Sequence, residues 1–595
     1  MPMLLAAASE PSHTPAPSGP AGPAGAKPAG HGATSAHLSG QPRDYVYLQE
    51  LATDGTPLGE PLVIHRDNLA QTVKELEENH PRWVWHRTQA FYPELLKAGV
   101  IIERCHDLQL CGQLLSYSQF SAHTDYAKNA VKTLTTEDRP EPPQALLPPA
   151  PSPDQGSLFE ETSAPSGPTL EVLRAEYTQQ QAALAQSQHR ERLQLLLAAE
   201  SAGSLIAAEM QFAGVPWRED LHEQILTEYL GSRPTGNNRP EKLEALAQEL
   251  RTLLNSPTLN PDSPQELLRA LHRNGIEVKS TRSWELQQSQ HAAIIPLLAY
   301  KKLARLLSAN GWSWLDAWVH SGRFRPEYVV GGVVSGRWAS RGGGALQIPK
   351  NIRGAAHADP GFKLIVADAS QLEPRVLVAL AHDSKMAEAA RRKDLYEGIA
   401  AEGFGGDRAK AKVALLGAIY GATTGESGRL MPQLTRMYPR AVGFVEEAAR
   451  AGEAGHTVST HLGRSTPPPS QAWLASQQST SAEEQRRANS WARSRGRFTR
   501  NFVVQGTAAE WAACWLAELR RRLRAIGTNL PAGKRPELVF FLHDEVMVHA
   551  PQELVEECVR AIEESAQTAA NLLFGRIPVD FPVTVAVVDS YDHAK

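Results

Sequence analysis

Short apolar segments alternate with helical segments in the first hundred or so residues after position 43. Tyr45–Leu48 and Pro61–Ile64 are predicted strands, and the Asp54-Gly55 pair between them is a typical turn signal. The pattern then predicts helices at about 67–78 and 91–98 and strands at 83–85 and 100–102. This order of elements indicates a small α/β unit.

Helical periodicity dominates from residue 171 to about 320. One long helix is predicted to end near Ala213, because Gly214 and then Pro216 follow it. Ser263 is a predicted N-cap, with Pro264 in the first helical turn. Next come a Gly-rich β-like region (326–349), a strand (363–367), helices to about 515, a hairpin (538–549), a helix (551–573) and a strand (582–588). The expected fold class is α+β with several domains, which 595 residues can supply.

Composition changes this picture in only a few places. Residues 1–42 and 134–170 are rich in Pro, Ala, Gly or Ser, so we expect a disordered tail and a low-complexity linker. The net charge of −4 leaves nucleic-acid binding open, because a local basic groove acts within ~8–10 Å. The four cysteines have no metal-binding spacing, which favours reduced thiols. No apolar run reaches the ~18 residues of a membrane span, so we expect no membrane partner and a cytoplasmic location.

A carboxylate follows the predicted strand at 363–367. Asp368 ends the apolar run Leu364–Ala367, and the chain then becomes helical. A side chain at the end of a buried strand is held rigidly, which suits an oxygen-ligated metal site. An equally simple interpretation is a helix N-cap, where Asp is common.

A second pair of carboxylates lies in the predicted hairpin. The apolar run 538–542 leads into His543-Asp544-Glu545, and a further apolar strand follows. Hairpin turns normally use Asn-Gly or Asp-Gly, so this acidic turn is a local misfit of the kind that marks functional sites. A solvated surface turn is the alternative. Taken with Asp368, the pair suits two metal ions that assist a phosphoryl transfer.

A basic helix is predicted between the two acidic segments. Arg408, Lys412, Leu416 and Tyr420 recur every four residues, along one slowly turning helix face. The two cations suit the phosphates of a nucleoside triphosphate, and Lys412 could protonate the leaving pyrophosphate. Leu416 and Tyr420 would pack on sugar and base, although a solvated amphipathic helix has the same pattern.

The most basic stretch of the chain comes later. It also contains Asn501 and Gln505 at i, i+4 spacing, which could hydrogen-bond to base edges or sugars. A basic stretch alone is a weak signal for nucleic acid. Its arginines are Arg486, Arg487, Arg493, Arg495, Arg497 and Arg500.

The segments DASQLEPR, R-x3-K-x7-YG and HDE resemble, in order and spacing, the A, B and C motifs of family A DNA polymerases, the DNA polymerase I family. SGRWAS…LQIP and NFVVQGTAAE are similar to two further elements of that family, and DASQLEPR resembles its actinobacterial members. The resemblance covers about 190–595. It implies a right-hand polymerase with a thumb (190–325), a palm (326–400 and 515–595) and fingers (401–514), preceded by an RNase H-like α/β exonuclease-type domain (43–133 and about 171–189).

The resemblance also implies roles for individual residues. Asp368 and Asp544, with Glu545 beside them, would hold two Mg²⁺ ions, or Mn²⁺, and Lys412 would join the aspartates in catalysis. Glu373 would exclude a 2′-hydroxyl. The remaining nucleotide contacts would come from Arg408, Lys412, Leu416, Tyr420 and Tyr396. The DNA contacts would come from Arg337, Arg497, Asn501, Gln505 and His543.

The chain departs from the family pattern at several of these positions. Ala369 stands where the family usually has Tyr, and Pro374 where it has Leu, which the first turn of a helix tolerates. Leu416 replaces an aromatic residue that packs on the nucleotide sugar, so sugar discrimination is in question. Tyr396 stands where a triphosphate-contacting His is usual. None of these changes removes an expected metal ligand.

The front unit departs further. An active exonuclease of this type needs four carboxylates, but Tyr45–Gln49 offers no Asp-x-Glu and the second Asp is absent near Phe91. The third motif, if it starts at Tyr177, lacks its Asp, and Asp107 alone could not replace the others. Without carboxylates two metal ions cannot be held. We therefore expect a vestigial, inactive exonuclease fold.

The sequence thus predicts a template-directed DNA polymerase that adds dNTPs to a primer 3′-hydroxyl. The expected partners are primer-template DNA and dNTPs, and the expected state is a nucleoid-associated monomer. The main alternative is a non-catalytic protein of polymerase shape that binds primer-template DNA. A single-subunit RNA polymerase is disfavoured by Glu373, and an exonuclease with a polymerase-like tail is disfavoured by the missing front carboxylates.

Overall fold

The computed structural model describes residues 3–7, 45–134 and 168–595, apart from 237, 342–347, 392–393, 423, 479–480 and 595. Most of the predicted tail and linker therefore lies outside the described residues. The helices and strands of the described part support the α+β class expected from the sequence.

The N-terminal unit is built on a mixed five-stranded sheet. Its strand order is β3-β2-β1-β4-β5, with β1 antiparallel to β2 and parallel to β4. The strands are β1 Met3–Ala7, β2 Tyr45–Leu51, β3 Leu62–His65, β4 Arg82–Trp85 and β5 Arg104–Asp107. The helices are α1 Leu69–Glu77, α2 Thr88–Lys97, α3 Leu108–Tyr117, α4 Asp125–Leu134 and α5 Leu170–Gln186. This arrangement is a small α/β unit, as the sequence predicted, and its RNase H-like, exonuclease-type assignment stays a prediction.

Two expectations for this unit are corrected. Met3–Ala7 belongs to the tail that was expected to be disordered, yet it forms the central strand, because its sequence Met-Leu-Leu-Ala-Ala is apolar enough to lie between β2 and β4. The strand expected at 100–102 is instead Arg104–Asp107. The amide of Val100 donates to the carbonyl of Leu95, so this apolar run closes the end of α2.

A helical segment follows, and its predicted ends are confirmed. α6 ends at Gly214, whose φ of 71° is left-handed, and the hydroxyl of Ser263 accepts a hydrogen bond from the amide of Glu266. The helices are α6 Arg190–Ala213, α7 Glu219–Leu230, α8 Glu241–Leu253, α9 Pro264–Arg273, α10 Ser283–Leu286, α11 Ile294–Asn310 and α12 Trp312–Trp318. A small sheet contains β6 Val215–Pro216, β7 Val319–His320 and β8 Arg323–Phe324. Among the described helices, α6 alone has the length and hydropathy of a membrane span, and 72% of that window is buried inside the protein.

A four-stranded antiparallel sheet forms the centre of the C-terminal half, in the order β12-β13-β11-β14. Its strands are β11 Phe362–Ala369, β12 Glu537–Leu542, β13 Glu545–Pro551 and β14 Val583–Val588, and a separate hairpin pairs β9 Glu327–Val329 with β10 Ala339–Arg341. β11 is buried on both faces, since Ile365 and Val366 both belong to the main core. A strand buried in this way fixes the direction of whatever follows its last residue.

Helices surround this sheet. α20 packs against both α18 and α21, and α21 also contacts β11 and β13. The helices are α13 Leu372–Ala381, α14 Ser384–Ala390, α15 Leu395–Gly403, α16 Arg408–Tyr420, α17 Gly425–Met437, α18 Pro439–Glu453, α19 Gln471–Ser476, α20 Ala482–Gly527 and α21 Val555–Phe574. The domain boundaries expected at 400/401 and 514/515 fall inside α15 and α20, so these units are joined there by continuous helices.

Candidate active site

The two predicted carboxylates are brought together by the strand register. Asp368 on β11 lies directly opposite Glu545, the first residue of β13. The amide of Ala369 donates to the carbonyl of Asp544 at 2.8 Å, so Asp544 lies beside the same end of β11. The turn between β12 and β13 is tight, and His543 adopts a left-handed φ of 58° to close it. A non-glycine residue in this region is uncommon, which agrees with the turn being a local misfit.

Glu545 differs from the two aspartates. It is 2% exposed, and its carboxylate accepts a hydrogen bond from the hydroxyl of Tyr591 at 2.5 Å. The guanidinium of Arg353 lies 4.5 Å from the centre of the Tyr591 ring. Burial, followed by the charge of Glu545, raises the pKa of Tyr591 above its usual value. Glu545 is thus anchored from the C-terminal segment, and its role as a metal ligand stays a prediction.

The donor chemistry fits a divalent ion of the magnesium type. No set of three or more His, Cys, Asp or Glu residues within the described ranges could hold a metal ion. Mg²⁺ is usually bound by one or two carboxylates, with waters and substrate phosphates as the other ligands. Two neighbouring aspartates at the end of a rigid strand meet that requirement without a complete protein cage.

A cleft of about 210 Å³ opens beside Asp544. Its walls come from α13, α16 and α20, from the segment after β9 and from the turn between β12 and β13. Seven of the residues predicted from the sequence line it: Arg337, Glu373, Tyr396, Leu416, Tyr420, His543 and Asp544. The other seven predicted site residues, including Asp368, Arg408 and Lys412, do not line it, so half of the predicted set meets at this cavity.

Glu373 is held from two sides of this cleft. The hydroxyl of Tyr420 donates to Oε2 of Glu373 at 2.7 Å, and the guanidinium of Arg337 donates to Oε1. Burial of the phenol, followed by this hydrogen bond, raises the pKa of Tyr420. Pro374 lies in the first turn of α13, where it does not interrupt the helix. The result is a carboxylate fixed in the cleft wall by α16 and by the segment after β9.

The residues that the spacing placed along one face of α16 differ in their exposure to solvent. Arg408 and Lys412 are exposed, whereas Leu416 is half-buried at the cleft. Arg408 pairs with Asp394 at 2.7 Å, and its guanidinium lies 5.5 Å from the ring centre of Tyr396. Burial alone would raise the pKa of Asp394, but the hydrogen bond from Arg408 and others lower it overall.

Sequence reasoning missed several partners in this site. Asp394 caps α15 and pairs with Arg408, and its signal was its place as a carboxylate just before a helix. Ser335 donates to Oε1 of Gln505 at 2.7 Å. Tyr591 and Arg353 gave no signal, because they come from distant segments and touch the site only in three dimensions.

Two of the predicted DNA-contact residues have a buried polar atom that lacks a hydrogen-bond partner among the described residues. These atoms are Oδ1 of Asn501 and Nδ1 of His543. Burial, and then the nearby charge of Arg337, lowers the pKa of His543. Buried polar groups are normally hydrogen-bonded, so we expect a bound water, ion or ligand to supply the missing contact at each of these atoms. Arg497, the remaining predicted DNA contact, is exposed on α20.

A solved structure has an architecture similar to that of this chain. The POL domain of Pol1 from M. smegmatis, solved in complex with DNA primer-template and dNTP, has a similar structure with a TM-score of 0.64. It is 20% identical, and the match covers 92% of this chain and 93% of that one, which confirms the predicted α+β polymerase fold.

Sequence relatives agree. The thermostable DNA polymerase I of Thermus filiformis is 25% identical over 390 residues, covering 58% of this chain and 43% of the relative. DNA polymerase I of Pseudomonas aeruginosa is 27% identical over 302 residues, covering 46% and 30%. The chain thus matches less than half the length of these curated relatives. The family model described as DNA polymerase family A matches residues 233–593, more than half of the chain. The chain therefore belongs to DNA polymerase family A.

Proposed function

We propose that this protein is a DNA-dependent DNA polymerase that adds deoxynucleotides to the 3′-hydroxyl of a primer. The observation that carries the proposal is the position of Asp368 and Asp544 at one end of the central sheet, beside a cleft whose walls include Glu373 and Tyr420. Family membership adds support, because the matched region contains every residue named here.

Asp368 and Asp544 would hold the two divalent ions. Bound Mg²⁺, or Mn²⁺, would make the primer hydroxyl a better nucleophile and stabilise charge on the reacting and leaving oxygens. The chain itself contributes rigidity, because β11 is buried on both faces and is hydrogen-bonded on both edges. Carboxylates on such a strand need little rearrangement before reaction.

The triphosphate of the incoming nucleotide would meet the exposed cations of α16. Lys412 would stabilise the charge that develops on the leaving pyrophosphate and could protonate it. Arg408 would exchange its partner Asp394 for phosphate oxygens, which are strong acceptors for a guanidinium. Leu416 and Tyr420 would cover the sugar and base from the same helix face.

Selection of deoxynucleotides is assigned to Glu373. Its carboxylate is fixed by Tyr420 and Arg337, so a 2′-hydroxyl entering this space would meet a group that cannot easily move aside. Leu416 replaces an aromatic ring, so this wall offers packing without stacking. The primer and template strands would be contacted, mostly through their shape and backbone, by Arg337, Arg497, Asn501, Gln505 and His543.

The N-terminal unit is proposed to lack exonuclease activity. Its described central strand, β1, has the sequence Met-Leu-Leu-Ala-Ala and carries no carboxylate. Asp107 is engaged in capping α3, since Oδ1 accepts from the amide of Leu110 and Oδ2 accepts from Thr88. Incubating the protein with a 3′-mismatched primer and Mg²⁺, without dNTPs, tests this. Steady release of dNMP that disappears in Asp107→Asn would overturn the proposal.

The activity itself is tested by extension of a labelled primer with Mg²⁺, comparing dNTPs with NTPs. Wild type should extend with dNTPs, and Asp544→Ala should not, while primer-template affinity stays within a few fold. Asp589→Asn is a matched control, because Asp589 pairs with Lys363 at the other end of the same sheet. No extension by a folded, DNA-binding wild type would instead favour the non-catalytic alternative. The predictions of a monomer, of a nucleoid location and of no membrane partner remain to be measured.

A further inference from the structure

The N-terminal half of α20 carries a continuous stripe of side chains on one face. We call Arg487, Trp491, Ser494 and Phe498 the α20 stripe. Their spacing of four, three and four residues places them on one side of a helix. Asn501 and Gln505 continue the same spacing towards the cleft, where Ala508 and Ala512 form part of the wall. The stripe and the candidate active site therefore lie on a single rigid element.

Two large aromatic rings in the stripe are exposed to solvent. Trp491 is 40% exposed and Phe498 is 38% exposed. Their separation of seven positions corresponds to about 10 Å along the helix. The Phe498 ring lies 5.8 Å from the buried ring of Phe502, which supports it from behind. Isolated exposed apolar residues are ordinary, but two aligned aromatic rings on one helix face form an organised surface.

The formal charges on the segment of α20 that carries these rings are all positive, and the acidic residues of its first turn, Glu483 and Glu484, precede this segment. From Gln485 to Gln505 the sequence contains six arginines and no Asp or Glu. Two of the six have structural partners: Arg500 pairs with Glu446, and Arg495 donates to the carbonyl of Pro467 and lies over the ring of Trp473. The four exposed ones are Arg486, Arg487, Arg493 and Arg497.

The opposite face of this part of α20 is already covered. The hydroxyl of Thr499 donates to the carbonyl of Ala448 on α18 at 2.7 Å, and Gly496 lies close against Glu453. Glu446 and Glu453, the two acidic side chains that contact Arg500 and Gly496 of this segment, thus belong to the α18 side. The α20 stripe is the side that faces away from that contact.

We propose that the α20 stripe binds the single-stranded template before it enters the cleft. Unpaired bases would stack on Trp491 and Phe498, and the exposed arginines would contact the phosphates. Exposed aromatic rings interleaved with cations are what single strands require, because every unpaired base has a free face. In a duplex those faces are occupied by neighbouring base pairs, so the rings would gain nothing from it. This inference rests on the proposed polymerase function, since it assigns the template strand to this surface.

The experiment compares primer-templates with identical duplexes and different 5′ template overhangs, one nucleotide or about 12 nucleotides long. Binding is measured by fluorescence anisotropy with wild type and with the double variant Trp491→Ala, Phe498→Ala. Wild type should bind the long overhang more tightly. The double variant should lose at least about tenfold of its affinity for the long overhang, because one stacked base accounts for about 5-fold to 150-fold. Affinity for the short overhang should stay within about twofold.

Three further variants sharpen the result. Trp491→Tyr with Phe498→Tyr keeps both rings and should keep the preference for the long overhang. Tyr117→Ala removes a ring of similar exposure, 44%, from α3 of the N-terminal unit and should change neither affinity. Arg493→Gln should flatten the salt dependence of binding to the long overhang.

The outcomes separate the two proposals. Equal loss of affinity for both substrates, or no loss for either, would refute the single-strand surface. Primer extension on the one-nucleotide overhang reports on the polymerase independently, since it does not involve the stripe. If wild type extends the primer but shows no preference for the long overhang, the polymerase proposal stands and the proposal for the α20 stripe is refuted. If the preference for the long overhang depends on the rings but no primer is extended, the single-strand surface stands and the polymerase proposal is refuted.

Discussion

Replacing Tyr420 with Phe removes one of the two donors that hold the proposed sugar-selecting carboxylate. The Tyr420 hydroxyl donates to Oε2 of Glu373 at 2.7 Å, and Arg337 holds the other oxygen. A hydrogen bond to a charged group contributes about 1.5–3 kcal/mol. Tyr420 is 44% exposed, so the lower end applies. Since about 1.4 kcal/mol corresponds to tenfold in rate, discrimination against NTPs should fall by about tenfold.

The assay is the ratio of kcat/KM for a dNTP to that for the matching NTP, measured by single-nucleotide primer extension. Tyr420→Phe should lower this ratio mainly through faster use of NTPs, because the freed carboxylate can turn away from a 2′-hydroxyl. Tyr438→Phe is the matched control: its hydroxyl also donates to a carboxylate, that of Glu402, at 2.8 Å, but it does not line the cleft. An unchanged ratio in Tyr420→Phe, or an equal change in both variants, would refute the reasoning.

Two further predictions concern stability. Burial raises the pKa of Glu510 from 4.5 to about 7. The free energy of unfolding of wild type should therefore fall by on the order of 3 kcal/mol as pH rises from about 4.5 through 7. Urea unfolding measured across this pH range should give a flatter profile for Glu510→Gln. A profile as steep as that of wild type would contradict this assignment. Glu209→Gln leaves the buried guanidinium of Arg520 without its charged partner and should cost about 3–5 kcal/mol of unfolding free energy with kcat unchanged. An unfolding free energy equal to that of wild type would show that the pair between Glu209 and Arg520 does not stabilise the fold.

The sequence predicted the site well where local pattern and chemistry coincide. A strand that ends in Asp368 and a hairpin with an acidic turn are local features, and the structure places both at one end of one sheet. The spacing of Arg408 and Leu416 needs only helical geometry, and α16 has it. Their shared chemistry and the resemblance joined these segments, because residues 176 positions apart carry no local pattern that predicts their contact.

The sequence-based predictions missed features that tertiary contacts determine. Met3–Ala7 is short and lies next to a Pro- and Gly-rich stretch, so composition pointed to disorder, while the gap between β2 and β4 provides its hydrogen-bond partners. Tyr591 hydrogen-bonds to Glu545 across 46 positions, which no periodicity reveals. The boundary expected at 514/515 falls inside α20, which buries apolar residues on both sides of it, including Trp511 and Trp515, so a continuous helix joins the two units there.

The N-terminal unit has a mechanical connection to the cleft that does not depend on exonuclease chemistry. Gln119, in the turn between α3 and α4, donates to the carbonyl of Thr457 at 2.8 Å and accepts from the hydroxyl of Ser459. The same loop provides the hydroxyl of Thr460 and the amide of Leu462, which hydrogen-bond to the Glu510 carboxylate on α20.

Glu510 lies one and two residues away from Ala509 and Ala508 of the cleft wall. The N-terminal unit can therefore influence the cleft by a structural route, because it helps to fix the loop that packs on the cleft helix. We therefore expect changes at Gln119 to affect the cleft through this loop, independently of any nuclease chemistry.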